Sequence, residues 1–371
     1  MEVSILLSLF VLVLAFNNGA NDVSKGIATL VGSGVTRLKV AIAWGTLWTL
    51  AGALSAALVS QGLVKAFTGA GFITPAPTGS AFLLAVACGA LIWVWLATRL
   101  ALPVSTTHSI TGALIGAGLF ASGAKGIGWA LLAYKFFLPL ALSPILALAL
   151  IFIFFPLVRF GFAGLQQYCI CLDRTAKVVL QSGGTAALAD QTSAVAGRTE
   201  DCDCSPTLVA RLNALDSLHW LSAGMTSFAR GLNDAPKILA LGLAASAVLK
   251  IDVTLAFALV AVAMGLGGLI GGFRVTETLA RKVTAMTPIE GFAANVVTSF
   301  LVIAASRFAM PVSTTHVSTG AIIGLGLKNG PSAIQWRTVR DMALAWIVTL
   351  PISAALGAIF YWLASRVLPQ A

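Results

Sequence analysis

Charge is what this sequence has least of. Of its 371 residues only 10% are Asp, Glu, Lys or Arg, while 58% are hydrophobic. Soluble domains carry about 25% charged residues, so the shortage excludes a large soluble domain. The longest polar stretch runs only from about Phe160 to Arg211. Carboxylates are scarcer still, and Asp22 is the only one between Glu2 and Asp173. No Gly-x-Ser-x-Gly elbow is present around the serines discussed below, which leaves a serine hydrolase little support. Cysteine is also sparse. Cys169 and Cys171, like Cys202 and Cys204, form Cys-x-Cys pairs that lack the usual zinc spacing. They are read as free thiols of a cytoplasmic loop, where disulfides do not persist, and Cys88 as packing. The net charge of +10 comes from basic residues standing singly in short loops. That is the pattern of membrane topology rather than of nucleic-acid binding.

Long apolar runs fill the rest. They lie near 3–22, 38–60, 80–98, 104–120 and 128–156, then near 213–235, 250–272, 289–306, 312–328 and 338–366. A helix of about 20 residues crosses about 30 Å of hydrocarbon, so the chain reads as an all-α polytopic membrane protein. The first run follows Glu2 and has no basic residue ahead of it, so it is expected to be a span rather than a cleaved leader. The two sets repeat each other. LPVSTTHSITGALIGAGL at 102–119 returns as MPVSTTHVSTGAIIGLGL at 310–327, and GAND at 19–22 returns as GLND at 231–234. The expected organisation is a first repeat over 1–158, a central cytoplasmic loop over 159–211 and a second repeat over 212–371. With an odd number of crossings in each, the second copy is inverted, an arrangement that places transporter sites at the midplane between the copies. Loop charge sets the orientation. Arg37, Lys39, Arg99, Arg159, Arg174, Lys177, Arg198, Arg211, Arg274, Arg281, Lys282, Lys328, Arg337 and Arg340 fall on one side, against Lys65, Lys125, Lys250, Arg307 and Arg366 on the other. Both termini are therefore expected outside. Segments 80–98 and 104–120 either cross separately or form a re-entrant hairpin; the short apolar run after His108 favours the hairpin.

Two constellations carry chemistry. Asp22 closes an apolar span in Asn17-Asn18-Gly19-Ala20-Asn21-Asp22, and Asp234 follows Asn233 at the repeated position. An intramembrane carboxylate is a functional candidate by default. The preceding glycines suggest a discontinuous helix in each copy, whose freed carbonyls, amides and carboxylate would bind Na⁺ or carry a proton. The second constellation is Pro103-Val104-Ser105-Thr106-Thr107-His108 and its repeat Pro311-Val312-Ser313-Thr314-Thr315-His316. Proline and a Ser/Thr cap start helices. A helix N-terminus offers unpaired N–H groups to an oxyanion, and the hydroxyls add donors. Such hydroxyls also commonly satisfy only their own helix. Lys25 and Lys237 stand three residues after each Asp, on the same helix face. They read either as internal ion pairs or as positive charge that some relatives obtain from bound cations. Arg99 and Arg307 precede each motif proline by four residues. They are snorkelling loop residues, or anion ligands if the hairpin forms. His108 and His316 are expected to orient neighbours rather than transfer protons.

On the Gly19–Asp22 stretch, Val23 and both Pro-Val-Ser-Thr-Thr-His motifs, the sequence resembles the inorganic phosphate transporter family, cation–phosphate symporters with an inverted repeat. The resemblance spans both halves and leaves only the central loop unmatched. It implies that Asp22 and Asp234 bind the cation, with Asn21 and Asn233 beside them, and that Ser105, Thr106, Thr107, Ser313, Thr314 and Thr315 cradle phosphate. The full expectation adds Asn17 to the coupling group and assigns Asn21 and Asn233 to the substrate. The expected activity is phosphate transport coupled to Na⁺ or H⁺. Sulfate permeation and an anion channel are the alternatives. No enzymatic activity, cofactor or nucleic-acid partner is expected; the bilayer and a homo-oligomer are. One departure stands out: after Asn-Asp the family continues Val-Ala-Asn-Ala, whereas this chain has Val23-Ser24-Lys25-Gly26 and Ala235-Pro236-Lys237. A lysine thus replaces an asparagine in both copies.

Overall fold

The computed structural model describes residues 1–69, 72–74, 79–180, 186–200 and 208–368. In the first half α1 (Glu2–Asp22), α2 (Ser24–Gly32) and α3 (Leu38–Val59) are followed by the short α4 (Gln61–Ala66). Then come α5 (Ser80–Arg99), α6 (Thr106–Ser122), α7 (Trp129–Leu132) and, after one π turn, α8 (Leu138–Phe162). The second half holds α9 (Ala214–Val248), α10 (Val253–Gly271), α11 (Phe273–Arg281), α12 (Pro288–Arg307), α13 (Thr314–Lys328) and α14 (Trp336–Val367). Among the described residues, seven helical stretches are long and apolar enough to cross a membrane. The 35-residue α9 is not one of them. The predicted apolar segments thus fall on helices.

Packing follows the sequence repeat. α1 lies against α10, and its counterpart α9 lies against α3; α6 lies against α14, and its counterpart α13 against α8. Each copy therefore completes its core with a helix of the other. Small residues permit this. A side chain at Gly19 would run into the Met264 carbonyl of α10, and one at Gly231 into the Thr49 carbonyl of α3. Gly116 meets the Ala354 backbone of α14 in the same way, and Gly324 meets Ile151 and Leu148 of α8. Without a hydrophobic drive between helices in lipid, such close approach is what holds them together.

These contacts correct the expected helix breaks. Gly19 and Gly231 serve helix packing, and α9 runs unbroken through Asn233 and Asp234 with Pro236 inside it. In the first copy the interruption is the single residue Val23, itself in helical conformation. The chain between the helices is more irregular at the hydroxyl motifs. Ala101 and Ala309 take up positive φ of 57° and 52°, each closing its helix by a six-residue turn: Leu102 N–H donates to Ala97 O at 2.9 Å and Met310 N–H to Ala305 O at 2.9 Å.

The central segment also departs from the all-α expectation. It contains β1 (Tyr168–Leu180), β2 (Ala186–Arg198) and β3 (Leu208–Asn213), an antiparallel sheet in the order β2-β1-β3. The start of β1 shows why: Cys169 and Cys171 are buried while Tyr168, Ile170 and Leu172 are exposed, the two-residue alternation of a half-covered strand. Cys169 and Cys171 are disulfide-bonded, which corrects their reading as free thiols; with sulfurs 3.4 Å apart they are not bonded to each other. Cys202 and Cys204 lie outside the described residues. Cys88 is a free, buried thiol.

Candidate functional site at two facing helix N-termini

Serine builds the starts of α6 and α13. Ser105 Oγ accepts from His108 N–H at 3.2 Å, and Ser313 Oγ accepts from His316 N–H at 3.2 Å. Both serines are thus N-caps of the expected kind. The two helix starts face each other, with the His108 and His316 rings 4.5 Å apart. They are also strapped together. Thr107 Oγ1 donates to Val312 O at 3.2 Å, and Thr315 Oγ1 donates to Val104 O at 2.7 Å. An α-helix leaves its first N–H groups without intrahelical acceptors, so two sets of donors converge here. Trp346 Nε1 donates to Pro103 O at 3.0 Å and steadies the approach to α6.

The two Asn-Asp pairs meet this pair of helix starts from α1 and α9. Asn18 is the junction. Its amide nitrogen donates to Asp22 Oδ2 at 3.0 Å, Thr106 Oγ1 at 3.0 Å and Asp234 Oδ2 at 3.2 Å. One amide therefore bridges carboxylates that are 212 positions apart in the chain. Asn21 ties α1 to the turn before α6: its amide nitrogen donates to Thr98 Oγ1 and Leu102 O, both at 3.0 Å. Asn233 does the equivalent in the second copy, donating to Val312 O at 3.3 Å and accepting from Ser306 Oγ at 3.3 Å.

Three cations share the cluster. Lys25 Nζ pairs with Asp22 Oδ1 and donates to Asn21 Oδ1 at 2.8 Å. Lys237 Nζ lies 3.6 Å from Asp234 Oδ1 and donates to Thr107 Oγ1 at 2.7 Å and Val312 O at 3.0 Å. Arg230 Nη2 donates to Asn18 Oδ1 at 3.2 Å, and Arg230 Nε stands 3.9 Å from Asp234 Oδ2 without a hydrogen-bond partner. Asp22, Lys25, Arg230, Asp234 and Lys237 are all 1–2% exposed, so the cluster is closed to solvent. In formal charge the three cations exceed the two carboxylates by one.

The site thus gathers Asn21, Asp22, Lys25, Ser105, Thr106, Thr107, Asn233, Asp234, Lys237, Ser313, Thr314 and Thr315, the last at the buried start of α13. It does not gather the rest. Asn17 turns its amide back to Val13 O at 2.9 Å along its own helix, so Asn18 takes the place expected of Asn17. Arg99 and Arg307 are exposed last residues of α5 and α12, where a cation complements the helix dipole. Arg99 stacks over Trp95. Neither takes part in the hydrogen bonds and ion pairs of the cluster described above. Arg230 was missed as a site residue, although its position 212 residues after Asn18 marked it as the partner of a residue in a repeated motif.

The phosphate transporter family profile matches residues 18–357, nearly the whole chain. The chain belongs to the phosphate transporter family. Within the wider similarity, a putative phosphate permease of Pyrococcus abyssi is 30% identical, with 94% of this chain and 95% of the relative covered. A probable low-affinity inorganic phosphate transporter of Bacillus subtilis strain 168 is 27% identical over 99% of this chain and all of the relative. Among solved structures, "The sodium-dependent phosphate transporter" superposes with a TM-score of 0.79 at 21% identity, covering 99% of this chain and all of that one. The chain is thus an integral membrane member of a family of transporters, and the fold agrees with that of the solved relative.

Proposed function

We propose that this protein carries inorganic phosphate across a membrane by alternating access, coupled to Na⁺ or H⁺. The observation that carries the reading is the surplus of buried positive charge where the N-termini of α6 and α13 converge. An anion there would meet first-turn N–H groups of both helices and the open Arg230 Nε, donors suited to phosphate oxygens. Thr106, Thr107, Thr314 and Thr315 add hydroxyls at the same place, while Ser105 and Ser313 fix the helix starts. Asp22 and Asp234 take the coupling role, offsetting the charge of the anion in transit. Their carboxylates also favour phosphate over sulfate, because phosphate at neutral pH can donate a proton and sulfate cannot.

The transport cycle rests on two inverted repeats, 1–158 and 212–371, rocking about the shared site. The pairs α5–α6 and α12–α13 are the re-entrant hairpins of this scheme. Loop charge supports both termini outside and the segment 159–211 in the cytoplasm of a plasma-type membrane, whereas the disulfides of Cys169 and Cys171 favour an oxidising side for that segment. The closed cluster corresponds to the occluded state between the two openings. The test is uptake of radiolabelled phosphate into proteoliposomes, with unlabelled sulfate as competitor. The expectation is saturable uptake driven by a cation gradient and abolished in Asp22→Asn and in Asp234→Asn, with both variants still inserted. Full-rate coupled uptake in both variants would remove the carboxylates from the mechanism. Transport of sulfate in place of phosphate would overturn the substrate, and non-saturating flux would indicate a channel.

A further inference from the structure

The oxygen cages beside Asp22 and Asp234 are already filled, and by the protein itself. Lys25 Nζ is surrounded by Asp22 Oδ1, Asn21 Oδ1 at 2.8 Å, Asn21 O at 3.2 Å and Val104 O at 3.4 Å. A carboxylate, an amide oxygen and two peptide carbonyls form the donor set that hard metal cations select. Lys237 Nζ has the same kind of surroundings, with Thr107 Oγ1 at 2.7 Å, Val312 O at 3.0 Å and Asp234 Oδ1 at 3.6 Å. Val104 and Val312 occupy equivalent positions of the repeated motif, so the two cages are counterparts. An ammonium has three donors and no acceptor; Lys25 turns that group onto oxygen, and Lys237 does the same while also lying 5.7 Å from the centre of the Phe67 ring. Both lysines are 1% exposed.

We propose that Lys25 and Lys237 are tethered cations that occupy the positions where Na⁺ would bind, so that this transporter binds no Na⁺ at Asp22 and Asp234 and moves its substrate without it. The inference rests on the transport reading above and narrows the coupling ion of that site. The residues present do not fit Na⁺. To admit the ion, a lysine would have to withdraw from its cage while remaining buried, and an unpaired charge inside the membrane is costly. The lysines differ from bound ions in one functional respect. Each sits three residues from its carboxylate on the same helical stretch, so it travels with the carboxylate through every conformation and carries no net cation across. The gradient left to drive transport at this site is that of protons.

Two measurements on the intact protein separate this inference from the transport reading. The first is equilibrium binding of radiolabelled sodium to the detergent-purified protein, together with its melting temperature in NaCl against choline chloride at equal ionic strength. The expected result is no saturable binding and no sodium-specific shift. Saturable sodium binding to the wild type, abolished by Asp22→Asn or Asp234→Asn, would overturn the inference whether or not the protein transports phosphate. The second is phosphate uptake into proteoliposomes with all Na⁺ replaced by choline at fixed pH gradient. An ion that binds neither conformation shifts no equilibrium, so the rate is expected to change by less than about twofold. Loss of uptake on removing Na⁺ would overturn the inference. Absence of phosphate uptake under every gradient would overturn the transport reading alone, because the binding measurement still decides the role of the lysines. The double variant Lys25→Asn/Lys237→Asn empties both cages and returns an amide oxygen to each. It is expected to gain a saturable sodium-dependent rise in melting temperature; a well-folded double variant that gains none would count against the cages being cation sites.

Discussion

Arg230 and Asn18 hold equivalent places in the two copies, yet one is a guanidinium and the other an amide. The pair is hydrogen-bonded across the repeat, so the asymmetry is built into a single contact. It gives the site its surplus of positive charge and leaves Arg230 Nε as a buried donor without a partner. Such donors are costly unless a ligand satisfies them. Arg230→Gln is therefore expected to weaken phosphate binding by about ten- to a hundredfold, the worth of a hydrogen bond to a charged group. Calorimetric titration of the purified protein checks this. Ser313→Ala removes a helix cap rather than a ligand and is expected to lower stability by about 1 kcal/mol, read as a fall in melting temperature. Most of these site residues were legible in the sequence because the motifs recur: Asp22, Lys25 and the threonines all lie where repetition pointed. The sequence alone does not separate Asn18 from Asn17, since only helical geometry tells which of two adjacent amides faces the carboxylates. Arg99 and Arg307 were placed near the site by chain distance alone, and their side chains leave it.

At the scale of elements, the apolar segments were nearly all readable because about twenty uncharged residues admit few other structures. The helix breaks were not. Glycine before Asn-Asp has two uses, a hinge or a close contact, and the choice depends on a helix elsewhere in the chain: α10 for Gly19 and α3 for Gly231. Gly19→Leu is expected to cost about 1–3 kcal/mol or more through overpacking against Met264, visible as loss of a monodisperse species in detergent. The small sheet of the central segment was missed because polar composition hid a short alternating pattern. Ala101 and Ala309 are a further feature of this scale. Both copies hold alanine in a left-handed conformation, which costs about 1–2 kcal/mol for a residue with a β-carbon. Ala101→Gly is expected to raise thermal stability by about 0.5–1 kcal/mol, since relief of the left-handed strain outweighs the larger chain entropy that glycine loses on folding.

For the whole molecule, the repeat marks out two halves, and their packing partners are exchanged between them. The proposed inversion makes a sharp prediction. Lys125 and Ser332 stand in exposed turns at the far ends of α6 and α13, so inverted copies put them on opposite faces of the membrane. In a variant with native cysteines replaced, Lys125→Cys is expected to react with an impermeant maleimide from outside, and Ser332→Cys only after permeabilisation. Labelling of both from one side would show that the copies are parallel.

The threonine straps between α6 and α13 have a consequence for ancestry. Each copy alone would bury a carbonyl that its own threonine cannot reach, and Asn18 would lose both Arg230 and Asp234. A gene carrying a single copy would thus encode only half a machine, unable to work until two products met head to tail. Duplication and fusion would then have added no new contact; they would have made permanent an encounter that the surfaces already required. Once fused, the halves would be free to diverge at one position and compensate at its mate, and the hydrogen-bonded pair of Asn18 and Arg230 has the form such a divergence would take.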